Sequence, residues 1–260
     1  MDLHLKDRRI LITGASSGIG LATATMLAAE GARLALCARD QDRLRAVTAP
    51  LAEQTDVVTA SCDVTSKQSV EDFVGRAVDR LGGLDGVVCN AGRSLMSTVE
   101  ETTDDEIREE FDLKIFGALN VVRSARKVLA SSGAGSIVVV NAILSRQPES
   151  RLAVTAAARA GLLNLSRSLA NDLAADNIRV NSVLLGLVDT GQWQRRHADS
   201  NSALDFDQWS AEIAADRGIA LGRFGTAEEL AFPITTLLSP RSSYITGAAL
   251  DVGGGVHRYI

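Results

Sequence analysis

Short, nearly continuous apolar runs alternate with longer segments of helical spacing along the whole chain. That alternation constrains the fold more than any other feature. Strands are predicted at Arg9–Thr13, Arg33–Ala38, Val57–Cys62, Gly86–Cys89, Ser136–Val140, Val180–Leu184 and Ala248–Val252. Most of these runs lack apolar–polar alternation, as strands covered on both faces do. Helices are predicted over Gly20–Glu30, Gln41–Gln54, Ser66–Leu81, Thr103–Leu129, Leu152–Ala174 and Ala227–Leu238. In the first of them Leu21, Ala24, Thr25 and Ala28 fall on one helical face. Such alternation, with only four prolines, predicts a doubly wound parallel sheet joined by right-handed crossovers. The fold class is therefore α/β, three layers in the order α/β/α, of Rossmann type.

No linker-like run or internal repeat divides the 260 residues, so one domain over residues 1–260 is expected. A chain of this size buries about 70–75% of its extended surface and needs no disulfide staples. The net charge of −5, from 32 acidic and 27 basic side chains, argues against a nucleic-acid groove. Cys37, Cys62 and Cys89 form no C-x-x-C pair and cannot all pair, which suits a reducing compartment. The start, M-D-L-H-L-K-D-R-R, has no apolar signal segment, and no run approaches 18 apolar residues. A soluble, cytoplasmic protein that spans no membrane is expected. His4, His197 and His257 lie far apart without metal-ligand spacing, so no metal is expected. The G-x-S-x-G elbow of a hydrolase is absent. Glu100, Glu101, Glu109 and Glu110 read as solvated charges.

The stretch from Thr190 to Gly218 breaks the pattern, with Trp193, Trp209, Arg195 and Arg196 between two regular blocks. It reads either as a solvated helical insertion or as a lid over a substrate pocket at about 190–218; long connections in compact domains favour the lid. Its tryptophans suit an aromatic or apolar small molecule, and its arginines an anionic group.

The first strand runs straight into Thr13-Gly14-Ala15-Ser16-Ser17-Gly18-Ile19-Gly20 and then a helix. Glycines at a strand-to-helix turn let the backbone approach a pyrophosphate, and the helix N-terminus offers free N–H donors and partial positive charge. The string resembles the T-G-x-x-x-G-x-G fingerprint of the classical short-chain dehydrogenase/reductase family. The resemblance continues through Cys62-Asp63-Val64, Asn90-Ala91-Gly92, Arg179-Val180-Asn181, Gly186, Val188, Thr190, Gly222-Arg223-Phe224-Gly225, Tyr244-Ile245-Thr246-Gly247 and Val252-Gly253-Gly254. Leu185 stands where the family usually has proline before Gly186. The resemblance implies that Gly14, Ser16, Ser17, Gly18, Ile19, Gly20, Asp63, Val64, Asn90, Ala91, Gly92, Gly186, Val188 and Thr190 bind a nicotinamide dinucleotide. It also implies a homotetramer or homodimer built through the two long helices and the C-terminal segment.

The second strand ends Cys37-Ala38-Arg39, with Ala38 where an NAD site places a carboxylate for the ribose 2′-hydroxyl. A missing anion followed by Arg39 suits a 2′-phosphate, so NADP(H) is preferred over NAD(H). The competing reading has Arg39 solvated or paired with Asp40 or Asp42.

At the catalytic positions the family pattern fails. The family uses a Tyr as proton donor, a Lys four residues later, a Ser thirteen residues before the Tyr, and an Asn on a preceding helix. Ala160 to Ala170 (A-G-L-L-N-L-S-R-S-L-A) matches the string that follows that Lys. The register puts Thr155 at the Tyr, Arg159 at the Lys, Ala142 at the Ser and Lys114 at the Asn. An aliphatic alcohol is a far weaker acid than a phenol, and a guanidinium does not surrender its proton. Arg159 could keep the ribose-holding role. Lys114, read at random, is a surface lysine; the register aims it at the pocket, as a replacement proton donor or a clamp for an anionic substrate. Ser145 or Asn141 could orient a carbonyl if the loop after the fifth strand is shifted. Two functions therefore stand: an NADP(H)-dependent oxidoreductase of a carbonyl or alcohol with a non-standard proton donor, or an NADP(H)-binding sensor or assembly subunit with little turnover.

Overall fold

A computed structural model describes residues 2–259. Seven parallel strands form one sheet: β1 (Arg9–Thr13), β2 (Arg33–Ala38), β3 (Val57–Ser61), β4 (Gly86–Cys89), β5 (Gly135–Ala142), β6 (Ile178–Leu185) and β7 (Ala249–Val252). Their order across the sheet is β3-β2-β1-β4-β5-β6-β7. The chain winds outward from β1 through β3, then returns to start the other half at β4. The sheet therefore changes direction between β1 and β4, where open α/β sheets hold ligands at the carboxyl ends of their strands.

Helices cover both faces: α1 (Gly18–Ala29), α2 (Gln41–Ala52), α3 (Lys67–Leu81), α4 (Asp104–Phe111), α5 (Gly117–Ser131), α6 (Ala153–Asp172), α7 (Gly191–Asp199), α8 (Phe206–Arg217) and α9 (Ala227–Leu238). One face of the sheet buries Leu11, Val87, Ile137 and Val180 under Phe73, Val121, Ala125 and Leu162. The other buries Ile12, Leu36, Val88 and Val138 under Leu27, Leu230 and Ile234. Several helix starts are written locally. Ser66 caps α3, and Thr103 with Glu106 and Thr226 with Glu229 form reciprocal capping boxes for α4 and α9.

One expectation needs correction. The helix predicted over Thr103–Leu129 is two helices joined by a five-residue π-helical turn, Asp112–Phe116. Such turns admit one extra residue and concentrate at functional sites. The segment from Thr190 to Gly218 is largely regular, folding as α7 and α8. Trp193 packs edge-on against Phe224 at 4.9 Å and lies 6.0 Å from Trp209, which fixes α7 to α8 and to the strand-end loop before α9. No helix among the described residues is long and apolar enough to cross a membrane.

Candidate active site

A cavity of about 1430 Å³ runs along the carboxyl edge of the sheet. At one end the β1–α1 turn lies against the end of β4. Gly14 and Gly18 adopt positive φ (69° and 52°), and a Cβ on Gly20 would meet the Gly14 carbonyl oxygen at 2.3 Å. Asn90 holds this turn: its Nδ2 donates to the carbonyls of Thr13 and Gly14, both at 3.0 Å, and its backbone N–H donates to Thr13 Oγ1. Ser17, the N-cap of α1, makes no side-chain cap bond, so the helix start is left open for an anion. Gly14, Ser16, Ser17, Gly18, Ile19, Asn90, Ala91, Gly92, Gly186, Val188 and Thr190 all line the cavity, whereas Gly20 is packed behind it.

The end of β2 continues this wall. Ala38 leaves no acid there, and Arg39 is exposed on the cavity surface beside Arg43. Asp40 accepts from Arg43 N at 2.9 Å as the N-cap of α2, which gives its carboxylate a separate task. Asp63 and Val64 lie on the same wall. The Asp63 carboxyl is held below its ordinary range, chiefly by hydrogen bonds from the Thr65 backbone and hydroxyl. The open helix start, the glycine cradle and the cation at the end of β2 fit a phosphorylated dinucleotide.

At the other end, the π-helical turn and α6 place Lys114 and Arg159 on the cavity wall, both buried. Lys114 Nζ donates to the Arg93 carbonyl at 2.5 Å and to Glu110 Oε1 at 3.1 Å. Burial, then the charge of Arg159, lowers its pKa from the ordinary lysine value to about 8, although Glu110 pulls the other way. Burial likewise lowers Arg159 to about 10. The guanidinium of Arg159 has one contact, NH1 to Asn141 Oδ1 at 3.4 Å, and its Nε has no partner.

Thr155 is wholly buried behind the cavity wall. Its hydroxyl donates to Glu110 Oε1 at 2.5 Å and accepts from Leu95 N–H at 3.0 Å, tying α6 to α4 and to the chain after β4. Asn141, also off the cavity surface, accepts from the Ala142 N–H and donates to the Arg159 carbonyl, fixing β5 to α6. Ser145 Oγ is buried without a partner and does not reach the cavity, where Ala142 presents a methyl group instead. The structure thus brings Lys114 and Arg159 together on the wall and leaves Thr155, Asn141 and Ser145 behind it.

Glu110 is the residue that sequence reasoning missed. It is not a solvated charge: it is 1% exposed and joins Lys114 to Thr155. The available signal was its position four residues before Lys114, which puts the two on one helical face. Glu109, by contrast, is exposed and pairs with Arg93 at 2.6 Å.

Above this floor, Arg196 lies 4.6 Å over the Trp193 ring, and Arg217 at the end of α8 pairs with Glu149 from the loop after β5. Among the described residues no cluster of His, Cys, Asp or Glu could hold a metal ion, and all three cysteines are free and buried.

A family sequence profile described as enoyl-(acyl carrier protein) reductase matches residues 14–257. A short-chain dehydrogenase/reductase, aba4, of Botryotinia fuckeliana (strain B05.10) is 34% identical over 256 residues, 96% of each chain. The chain belongs to the short-chain dehydrogenase/reductase family. Members of that family are NAD(P)-dependent oxidoreductases, and the seven-stranded sheet is theirs. Among solved structures, an NADPH-bound short-chain oxidoreductase from Pseudomonas aeruginosa PAO1, described as containing an atypical catalytic center, superimposes with a TM-score of 0.92. It is 40% identical, with 98% of this chain and 99% of that one covered. L-sorbose reductase from Gluconobacter frateurii, complexed with NADPH and L-sorbose, gives a TM-score of 0.95 at 30% identity over the full length of both chains.

Proposed function

We propose that this short-chain family member is an NADP(H)-dependent reductase of small carbonyl compounds in which Lys114 is the proton donor. The observation that carries the proposal is Lys114 itself: a buried ammonium on the cavity wall, anchored by the Arg93 carbonyl and Glu110, and brought to about 8 by burial. A general acid works best with a pKa near the operating pH. An alcohol at position 155 cannot match that, and here it is already bound to Glu110 and Leu95.

When bound, the reduced dinucleotide supplies a hydride equivalent to the carbonyl carbon. The β1–α1 turn would hold the pyrophosphate, Arg39 the 2′-phosphate, and Arg159 the hydroxyls of the nicotinamide ribose. Lys114 gives its proton to the carbonyl oxygen as negative charge develops there. Glu110 keeps the lysine side chain aimed, and α7 with α8 closes over the chamber as its lid. NADPH as partner is supported by the two NADPH-bound neighbours and by the absence of an acid at Ala38.

Steady-state oxidation of NADPH with a panel of aldehydes, ketones and quinones tests the reading. Turnover of at least one class is expected. Tight NADPH binding with no turnover across the panel overturns it and supports a cofactor-binding sensor or assembly subunit, a reading that the closed-off Thr155 hydroxyl favours.

A further inference from the structure

The floor of the cavity carries an imbalance of charge that the proposed reaction does not use up. Lys114 and Arg159 bring two positive charges to it, and Glu110 is the buried carboxylate they share. Both Glu110 contacts fall on Oε1, to Lys114 and Thr155, and neither comes from Arg159. The guanidinium therefore stands on the wall, more than nine-tenths buried, with five N–H donors and a single 3.4 Å contact. Glu110 offsets its charge only through space and also serves Lys114, and a buried cation with no direct ion pair is a receptor for an anion.

The dinucleotide does not supply that anion. Its phosphates fit the β1–α1 turn and Arg39, on the β1–β2 half of the cavity, whereas Arg159 lies on α6 beside the end of β5. Ribose hydroxyls are neutral and bring no negative charge to it. The chain as a whole is acidic, with a net charge of −5, so a cationic floor is a local feature and not a reflection of composition. From above, the half-buried Arg196 extends the same sign of charge over the chamber.

We infer that the substrate is an oxo acid, its carboxylate held by Arg159 and its carbonyl oxygen facing Lys114. The inference deepens the reductase reading and rests on it for the carbonyl. A planar guanidinium matches a carboxylate with two parallel hydrogen bonds, which also orients the adjoining carbonyl. The balance is that of an ordinary reduction: the C=O π bond breaks, a C–H bond forms with the hydride equivalent, an O–H bond forms with the Lys114 proton, and the carboxylate is unchanged.

The test uses matched ligands on the wild-type chain. NADPH-driven reduction of 2-oxo and 3-oxo acids of four to six carbons is compared with that of their methyl esters and N-acetylcysteamine thioesters. The acids are expected to exceed the uncharged partners in kcat/KM by at least about 100-fold, because a site built around a buried polar group rejects ligands that leave it unpaired. The preference is expected to collapse in Arg159→Gln. An ester or thioester used as well as its acid overturns the inference. If no carbonyl compound is reduced, the reductase reading fails, and calorimetric titration of butyrate and butyramide into the chain with NADP⁺ bound still decides the anion site. Butyrate binding at least about tenfold tighter than butyramide supports the site, and equal affinities overturn it.

Discussion

The two ends of one cavity have been treated in opposite ways. At the β1–α1 end, the proposed dinucleotide recognition rests on backbone: glycines that permit close approach, an open helix start, and Asn90 holding two carbonyls. At the α5–α6 end the proposed task belongs to side chains, and the register read from the sequence puts other residues at all four positions of the family's usual set. Backbone recognition tolerates little change in sequence, because any Cβ at Gly20 collides with the chain itself. Side-chain chemistry can be replaced, provided that the replacement arrives as a set. In the proposed site that set is Lys114, Glu110 and Thr155, in which Thr155 anchors the carboxylate that holds Lys114.

The largest effect that would sharpen this contrast is separation of turnover from binding. Lys114→Met is expected to lower kcat by about 10²- to 10⁴-fold, the usual range for a general acid. NADPH affinity, read by fluorescence titration, should stay within about threefold of wild type. Loss of both together would break the division between the two ends. The converse change is Gly20→Val, whose side chain has no space beside Gly14. It should weaken NADPH binding by about 100-fold or more and lower the denaturation midpoint, since overpacking costs roughly 1–3 kcal/mol.

A smaller effect is expected at the adenosine end. Arg39→Ala removes a cation that suits a phosphate, so the NADPH-over-NADH ratio of kcat/KM should fall about 10- to 100-fold, with NADH itself little changed. The smallest concerns Glu110. Its carboxylate raises the Lys114 pKa against burial, so Glu110→Gln should move the alkaline limb of the reduction rate to lower pH and reduce turnover at pH 7 several-fold. A Glu110→Gln profile that overlays the wild type would remove Glu110 from the account.

Much of the fold is legible in the sequence. The family resemblance placed Lys114 and Arg159, which both line the cavity, and seven parallel strands and the glycine turn followed from spacing, because strands covered on both faces and strand-to-helix turns leave local marks. Two features left none. The π-helical turn inserts a residue without disturbing the apolar stripe Val121, Val122, Ala125 and Leu129 that follows it, so the two helices read as one. Glu110 reads as a surface charge because burial of a carboxylate depends on partners from elsewhere in the chain, Thr155 on α6 above all. Ser145 and Asn141 show the opposite limit: both lie near the right strand end and neither reaches the cavity surface, Asn141 because its amide ties β5 to α6.

The replacement of a phenol by a lysine as proton donor is tested most directly by the pH dependence of kcat/KM for NADPH-driven reduction, wild type beside Lys114→Arg. Lys114 must be protonated to donate, and its pKa is about 8. The wild-type rate is therefore expected to be level below that pH and to fall about tenfold per unit above it. In the arginine variant, whose guanidinium holds its proton more tightly than an ammonium, the limb should move to clearly higher pH, whatever the remaining rate. An alkaline limb of the same midpoint in both proteins would contradict the assignment and place the titrating group elsewhere.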